Sequence, residues 1–247
     1  MLWYQKGGAG TRTILLLHGL GATSAVWCGV QRALEERGIG RWIAPDLSGH
    51  GRSDPLPHYS IEELATELAS LVRDEPELFV IGHSLGAYLG LALASGSLGV
   101  QIRGVLAIGP KVSWPPADVQ FAQQLAARPV RWFANGEEAA KYYRRVSGLD
   151  PQIAPGEEWL RHGIVQQAAG WRLSQDSRTF EVAGAPFEPL IARAQAHILL
   201  ARGEHDSMVS TFELRQFCDR VEEIAAAGHN AHVESSEAVV TLFERLM

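Results

Sequence analysis

Short apolar runs alternate along this chain with segments whose apolar positions recur every three or four residues, the rhythm of buried strands and amphipathic helices in turn. The first clear strand is Thr13-Ile-Leu-Leu-Leu17, apolar on both faces as a central parallel strand must be. A helix is predicted over 24–36, and Arg41-Trp-Ile-Ala-Pro45 reads as the next strand. Ser60 and Glu63 form a capping-box pattern, after which Ile61, Leu64, Ala65, Leu68, Leu71 and Val72 mark one buried helical face. A strand over 78–81 leads into a small-residue helix from about Ser84 to Ser95, and a further strand is predicted over 102–108. The rhythm breaks at Gly109-Pro110. From 111 to 189 the pattern reads as helices and loops without a convincing strand, and four of the seven tryptophans fall there: Trp114, Trp132, Trp159 and Trp171. The alternation resumes with Ala196-His-Ile-Leu-Leu-Ala201, a helix near 210–220 and a weaker strand over 221–226. A last helix presents Val239, Leu242, Phe243 and Leu246 on one face. Alternation of this kind predicts an α/β class, a mostly parallel sheet flanked by helices.

Composition changes this picture little. At 247 residues, with 46% hydrophobic and 20% charged positions, the chain can bury a large core without metals or disulfides. A formal net charge of −6 and the lack of a long basic block point away from nucleic acid. Cys28 and Cys218 lack metal-site or redox spacing and read as free, partly buried thiols. There is no signal-peptide pattern at the N-terminus and no apolar run long enough to cross a bilayer, so a cytoplasmic location is the default expectation and no membrane partner is expected.

The segment that carries chemistry is Phe79-Val-Ile-Gly-His-Ser-Leu-Gly86, a Gly-x-Ser-x-Gly placed between an apolar strand and a helix of small residues. A sharp strand-to-helix turn lifts the Ser84 hydroxyl above the sheet edge, and glycines on either side avoid collisions at that turn. A serine hydroxyl needs an adjacent base, and the base needs an orienting group. Among nine histidines, His229 in Gly228-His229-Asn-Ala-His232-Val-Glu234 stands on the late loop where the base belongs. His232 reads as a packing or capping residue, His205 as exposed, and His58, His162 and His197 show no partner pattern. Glu204 and Asp206 both follow the resumed strand, and Asp206 is the preferred acid. The order Ser84, Asp206, His229 then suits the chemistry. Oxyanion donors are expected at the backbone amides of Leu85 and of Leu20, the latter in His18-Gly-Leu-Gly-Ala-Thr23, with His18 itself structural.

With these residues in hand, the chain resembles the α/β-hydrolase superfamily, through His18-Gly19, Asp46-Leu-Ser-Gly-His-Gly-Arg-Ser53, the elbow at Ser84, Gly203-Glu-His-Asp206, Gly228-His229 and Glu234-Ser-Ser-Glu237. It is similar to compact capped bacterial members that include esterases and carbon–carbon bond hydrolases. Ser48 stands where glycine is usual, and Ser210 where proline often follows the acid's loop. The resemblance implies an α/β-hydrolase core over 1–110 and 190–247, with a helical cap over 111–189. It implies cleavage of a carboxylic ester or related acyl bond through an acyl-enzyme on Ser84, with no metal or organic cofactor. Carbon–carbon hydrolysis, acyl transfer, cofactor-free oxygenation and a non-catalytic ligand receptor remain alternatives on the same fold.

The aromatics Trp114, Trp132, Phe133, Tyr142, Tyr143 and Trp159 read mostly as core of the insertion, with an acyl pocket the alternative. Lys141, Arg144 and Arg145 share one helical face, with Arg128 and Arg131 nearby. A solvated charged face is the simpler reading, and an acidic substrate or an acyl-carrier protein the alternative.

Overall fold

A computed structural model describes residues 1–149 and 158–247. Residues 150–157, within the expected cap, and the side chain of Trp159 lie outside the described residues.

The strands are β1 (Tyr4–Gly8), β2 (Arg12–Leu17), β3 (Arg41–Pro45), β4 (Glu77–His83), β5 (Ile102–Ile108), β6 (Ile164–Gln167), β7 (Gly170–Leu173), β8 (His197–Gly203) and β9 (Val221–Ile224). The helices are α1 (Cys28–Glu36), α2 (Ile61–Val72), α3 (Leu85–Leu93), α4 (Pro116–Ala126), α5 (Gly136–Val146), α6 (Glu188–Arg193), α7 (Thr211–Leu214), α8 (Ala231–Glu234) and α9 (Ser236–Glu244). Seven strands form one sheet in the order β1-β3-β2-β4-β5-β8-β9, parallel throughout except for the antiparallel edge strand β1.

Alternation along each strand divides the core into two layers. Ile14, Leu16, Phe79, Ile81, Leu106 and Ile108 face one side, where Val30 and Leu34 of α1 and Val239 and Phe243 of α9 cover them. Leu15, Leu17, Val80, Val105 and Ala107 face the other, under Leu64 and Leu68 of α2 and Tyr88 and Leu89 of α3. The doubly apolar runs seen in the sequence are therefore strands with a helix layer on each face. The Ser60 cap on α2 is present, its hydroxyl accepting from the Glu63 amide at 3.1 Å.

Several local expectations need correction. β1 gave no signal, because its pattern buries no face and it carries two glycines. Residues 111–189 are not purely helical: β6 and β7 form an antiparallel hairpin, extended by a bridge between Phe133 and Trp171. Its strands have four residues each and its turn contains Ala168-Ala169, poor turn formers, so neither period nor punctuation marks it. The expected helix near 210–220 shrinks to the four residues of α7. Ser210 is its N-cap, in a reciprocal capping box with Glu213, a role a proline could not fill. Cys28 is exposed rather than partly buried, and Cys218 is half-buried.

Among the described residues no helix is long and apolar enough to cross a membrane.

Candidate active site

Ser84 is the residue between β4 and α3, with φ 50° and ψ −111°. Few non-glycine residues adopt such a conformation, so the surroundings must hold it. Two glycines make the turn sterically open. A Cβ on Gly82 would collide with the Gly86 carbonyl, and one on Gly86 with the Leu17 carbonyl of β2. The Ser84 amide donates to the Ile108 carbonyl at 2.9 Å, tying the elbow to the end of β5.

Asp206 lies on the loop after β8, and its carboxylate is fully buried. One oxygen accepts from the Met208 amide at 2.8 Å and the other from His229 Nδ1 at 3.0 Å. That bond fixes the imidazole with its proton on Nδ1, leaving Nε2 free as an acceptor. His229 follows β9, and its ring keeps about a fifth of its surface exposed. Ser84 and His229 both line one cavity of about 870 Å³, although no hydrogen bond joins the serine hydroxyl to the imidazole among the described residues.

Leu20 and Leu85 line the same cavity. Leu85 is the first residue of α3, so its amide is one of the four that a helix leaves without an internal acceptor. In the loop after β2, the Ala22 amide bonds to the Gly19 carbonyl and the Gly21 amide to His50 Nε2. Among the described residues this leaves the Leu20 N–H without an acceptor.

His18 is buried, and burial pushes its pKa down to about 4. Its Nε2 accepts from the Leu47 amide at 2.9 Å while Nδ1 donates to the Gly19 carbonyl at 2.8 Å. His50, also buried and pushed down to about 3 by burial and by the neighbouring His18, packs edge-on against it. Together they clamp the loop at Leu20 to the loop over 46–53. Asp46 ties the same region from below, accepting from the Ser24 and Arg52 amides. Ser48, where glycine is usual, is buried and its hydroxyl meets Glu67.

Two positioning groups escaped the sequence reading. His83, between Gly82 and Ser84, donates from Nε2 to the His229 carbonyl at 2.9 Å, so one residue of the elbow holds the backbone of the late histidine. Burial holds its pKa well below the usual histidine range. Its ring stacks on His232, which in turn lies against Trp27. His232 is thus a packing residue, with both ring nitrogens buried and without a hydrogen-bond partner among the described residues. The second is Arg202, 8% exposed, whose guanidinium donates to the carbonyls of Glu204, Asp206 and Val209 and pairs with Glu223. Three carbonyls converging on one fork define the acid loop. The signal for both was adjacency to motif residues at the carboxyl ends of β4 and β8. Of the competing histidines, His58, His197 and His205 are exposed and His162 half-buried; Glu204 is exposed and caps the Ala226 amide at 2.9 Å.

The far wall of the cavity comes from residues between β5 and β8, including Trp114, Phe121, Leu125, Arg131, Tyr142 and Arg145. Phe133 and Tyr143 are buried in the core, Trp132 is exposed, and only Trp114 and Tyr142 of the described expected aromatics face the cavity. Among the described residues no group of three or more His, Cys, Asp or Glu side chains could hold a metal ion.

The model of the alpha/beta hydrolase family matches residues 14–242. The chain belongs to the alpha/beta hydrolase family. Its mostly parallel seven-stranded sheet flanked by helices is an alpha/beta-hydrolase fold. An uncharacterized protein of Mycobacterium tuberculosis is 39% identical over 94 residues, 37% of this chain and 27% of that protein. The matched segment thus spans about a quarter of that relative's length. Lipase LipV of the same organism is 29% identical over 176 residues, 69% of this chain and 65% of the lipase. Among solved structures, a thioesterase domain from the curacin biosynthetic pathway superposes with a TM-score of 0.80 at 21% identity, covering 98% of this chain and 94% of that one. Alpha/beta hydrolases carry many activities on one scaffold, so the chemistry must be argued from the site.

Proposed function

We propose that this protein is a serine hydrolase that cleaves a carboxylic ester or related acyl bond through an acyl-enzyme on Ser84. The observation that carries the reading is the buried Asp206–His229 pair opening onto the same cavity as a serine held at a strained strand-to-helix turn. His229 Nε2 takes the Ser84 proton as the hydroxyl attacks the substrate carbonyl. The developing oxyanion is met by the amides of Leu20 and Leu85, each worth about 2.7–4 kcal/mol in the barrier. Collapse expels the leaving group, protonated by His229, and a water deprotonated by the same imidazole then releases the acid. Asp206 stays ionised and holds the tautomer. The contact between Ser84 and His229 tightens when substrate fills the cavity, as is common for catalytic bonds that are open in the free enzyme.

That two of the similar proteins are named a lipase and a thioesterase supports an acyl bond as the target. The residues between β5 and β8 act as a cap that closes the cavity over the scissile bond. The reading is tested by fluorophosphonate labelling and by a panel of esters, thioesters and lactones with wild type and Ser84→Ala. Labelling at Ser84 with ester turnover is expected, both lost in the variant. An unlabelled Ser84, or turnover surviving in Ser84→Ala, would overturn it.

A further inference from the structure

The cavity wall supplied by the insertion has an unusual charge. Arg128, Arg131 and Arg145 all line it, together with Lys111. Among the described residues the single carboxylate in the lining, Asp118, is already taken by Lys111 at 2.5 Å. Among the described residues none of the three arginines forms an ion pair, in a chain whose carboxylates outnumber its lysines and arginines 28 to 22. Some arginines elsewhere are paired, Arg37 with Glu237 and Glu244, Arg41 with Glu75, Arg202 with Glu223 and Arg245 with Glu222, and others such as Arg103 and Arg193 form no ion pair among the described residues. What sets these three apart is that they share one cavity. Three guanidinium groups that line one cavity repel one another.

Helix electrostatics explain only part of this. The last turn of α5 favours cations, which accounts for Arg144 and Arg145. Arg128 directly follows the C-cap of α4, where a cation is likewise favoured, but Arg131 lies further along the connection, where no helix end requires it. Tyr142 holds two of the three in place, with the Arg131 guanidinium 4.6 Å and that of Arg145 5.1 Å from its ring centre. Cation–π contact fixes a guanidinium without neutralising it, so its donors stay available. All three are exposed, while much of the lining of the same cavity is apolar and includes Leu85, Tyr88, Phe121 and Leu125.

Resting on the serine-hydrolase reading above, we infer that the substrate is an acyl compound carrying an anionic group, carboxylate or phosphate, at the end remote from the scissile bond. Arg131 and Arg145 bind that group at the mouth, assisted by Arg128, while the apolar stem lies along the wall towards Ser84. Lys141 shares the exposed surface of α5 but does not line the cavity, so it provides a charge-matched control.

The test compares p-nitrophenyl octanoate with the p-nitrophenyl half-ester of suberic acid, and octanoyl-N-acetylcysteamine with octanoyl-phosphopantetheine. Wild type is expected to favour the charged member of at least one pair through KM rather than kcat. The pair that shows it tells carboxylate from phosphate. The Arg131→Gln Arg145→Gln variant should lose that preference by roughly five-fold per arginine, the scale of a solvent-accessible ion pair. Lys141→Gln should keep it, and rising salt should erode it in wild type. Slowing of Ser84 fluorophosphonate labelling by suberate and not by octanoate reads the carboxylate arm without turnover. Equal treatment of both pairs by a labelled, active wild type sinks this inference alone. So does retention of the preference in the double variant, or its equal loss in Lys141→Gln, which would signal the field of the whole surface. Failure of Ser84 to label overturns the parent reading and this one with it.

Discussion

On the sheet side of the cavity, polar groups are buried and tied to named partners. Asp206 is held by the Met208 amide and by His229, its loop by Arg202, and the His229 backbone by His83. On the insertion side the lining is exposed, with Phe121 at 55%, Val130 at 50% and Val146 at 46%, and its arginines find no carboxylate among the described residues. The first wall has its geometry set before any ligand arrives, as transition-state stabilisation demands. The second keeps its donors and apolar surface in reserve for whatever enters. On the proposed reading, reaction type and selectivity sit on different parts of the chain, and substitutions on the two walls should fail in different ways.

The largest expected effect is Ser84→Ala, which should lower kcat by roughly 10⁶-fold on every substrate alike. A substrate-dependent loss in a steady-state panel would erase the contrast between the walls. Asp206→Asn should come next, with kcat down roughly 10⁴-fold and little change in KM, since the imidazole would rest in the wrong tautomer. Arg202→Met leaves three carbonyls without their shared donor and should cost about 1–3 kcal/mol in chemical denaturation. Because it shifts Asp206, activity should fall before the fold does.

Acid should weaken the sheet side selectively. His50 and His232 are pushed down to about 3 and His18 to about 4, chiefly by burial, and His83 is lowered in the same way. These rings stay neutral in the folded protein while the unfolded chain takes up protons near pH 6.5. Their contribution is complete above that value and falls as pH drops towards the folded values, by about 1.4 kcal/mol per pH unit for each ring. Urea midpoints should therefore fall steeply between pH 7 and 5, and His232→Leu should flatten the slope. The smallest stability effect is expected for Phe121→Ser, within about 0.5 kcal/mol by thermal melting, while KM for a long-chain ester rises.

The same division governs what the sequence revealed. β2 and β4 are flanked by helices on both faces, so their continuous apolar runs announced them, and the elbow at Ser84 followed from its place between strand and helix. The late histidine could be ordered among nine only by its position after β9. His83 and Arg202 were hidden because their roles depend on backbone carbonyls brought from 146 and up to 7 residues away, which no local pattern encodes. The β6–β7 hairpin was hidden for another reason. Of the arginine mouth the sequence offered the cations, and an anion site as the alternative to a solvated face, but not the cavity. Short strands with an alanine turn carry no period, and exposed cations look the same in sequence whether or not a cavity opens beside them.

The backbone at Ser84 has one more consequence. A side chain held at φ 50° and ψ −111° costs on the order of 1–3 kcal/mol, which glycine would not incur. Ser84→Gly should melt at a higher temperature than wild type while doing no chemistry. If Ser84 is the nucleophile proposed above, a lineage released from its reaction would drift towards sturdiness by discarding that hydroxyl, and would keep an intact cavity fit for binding alone.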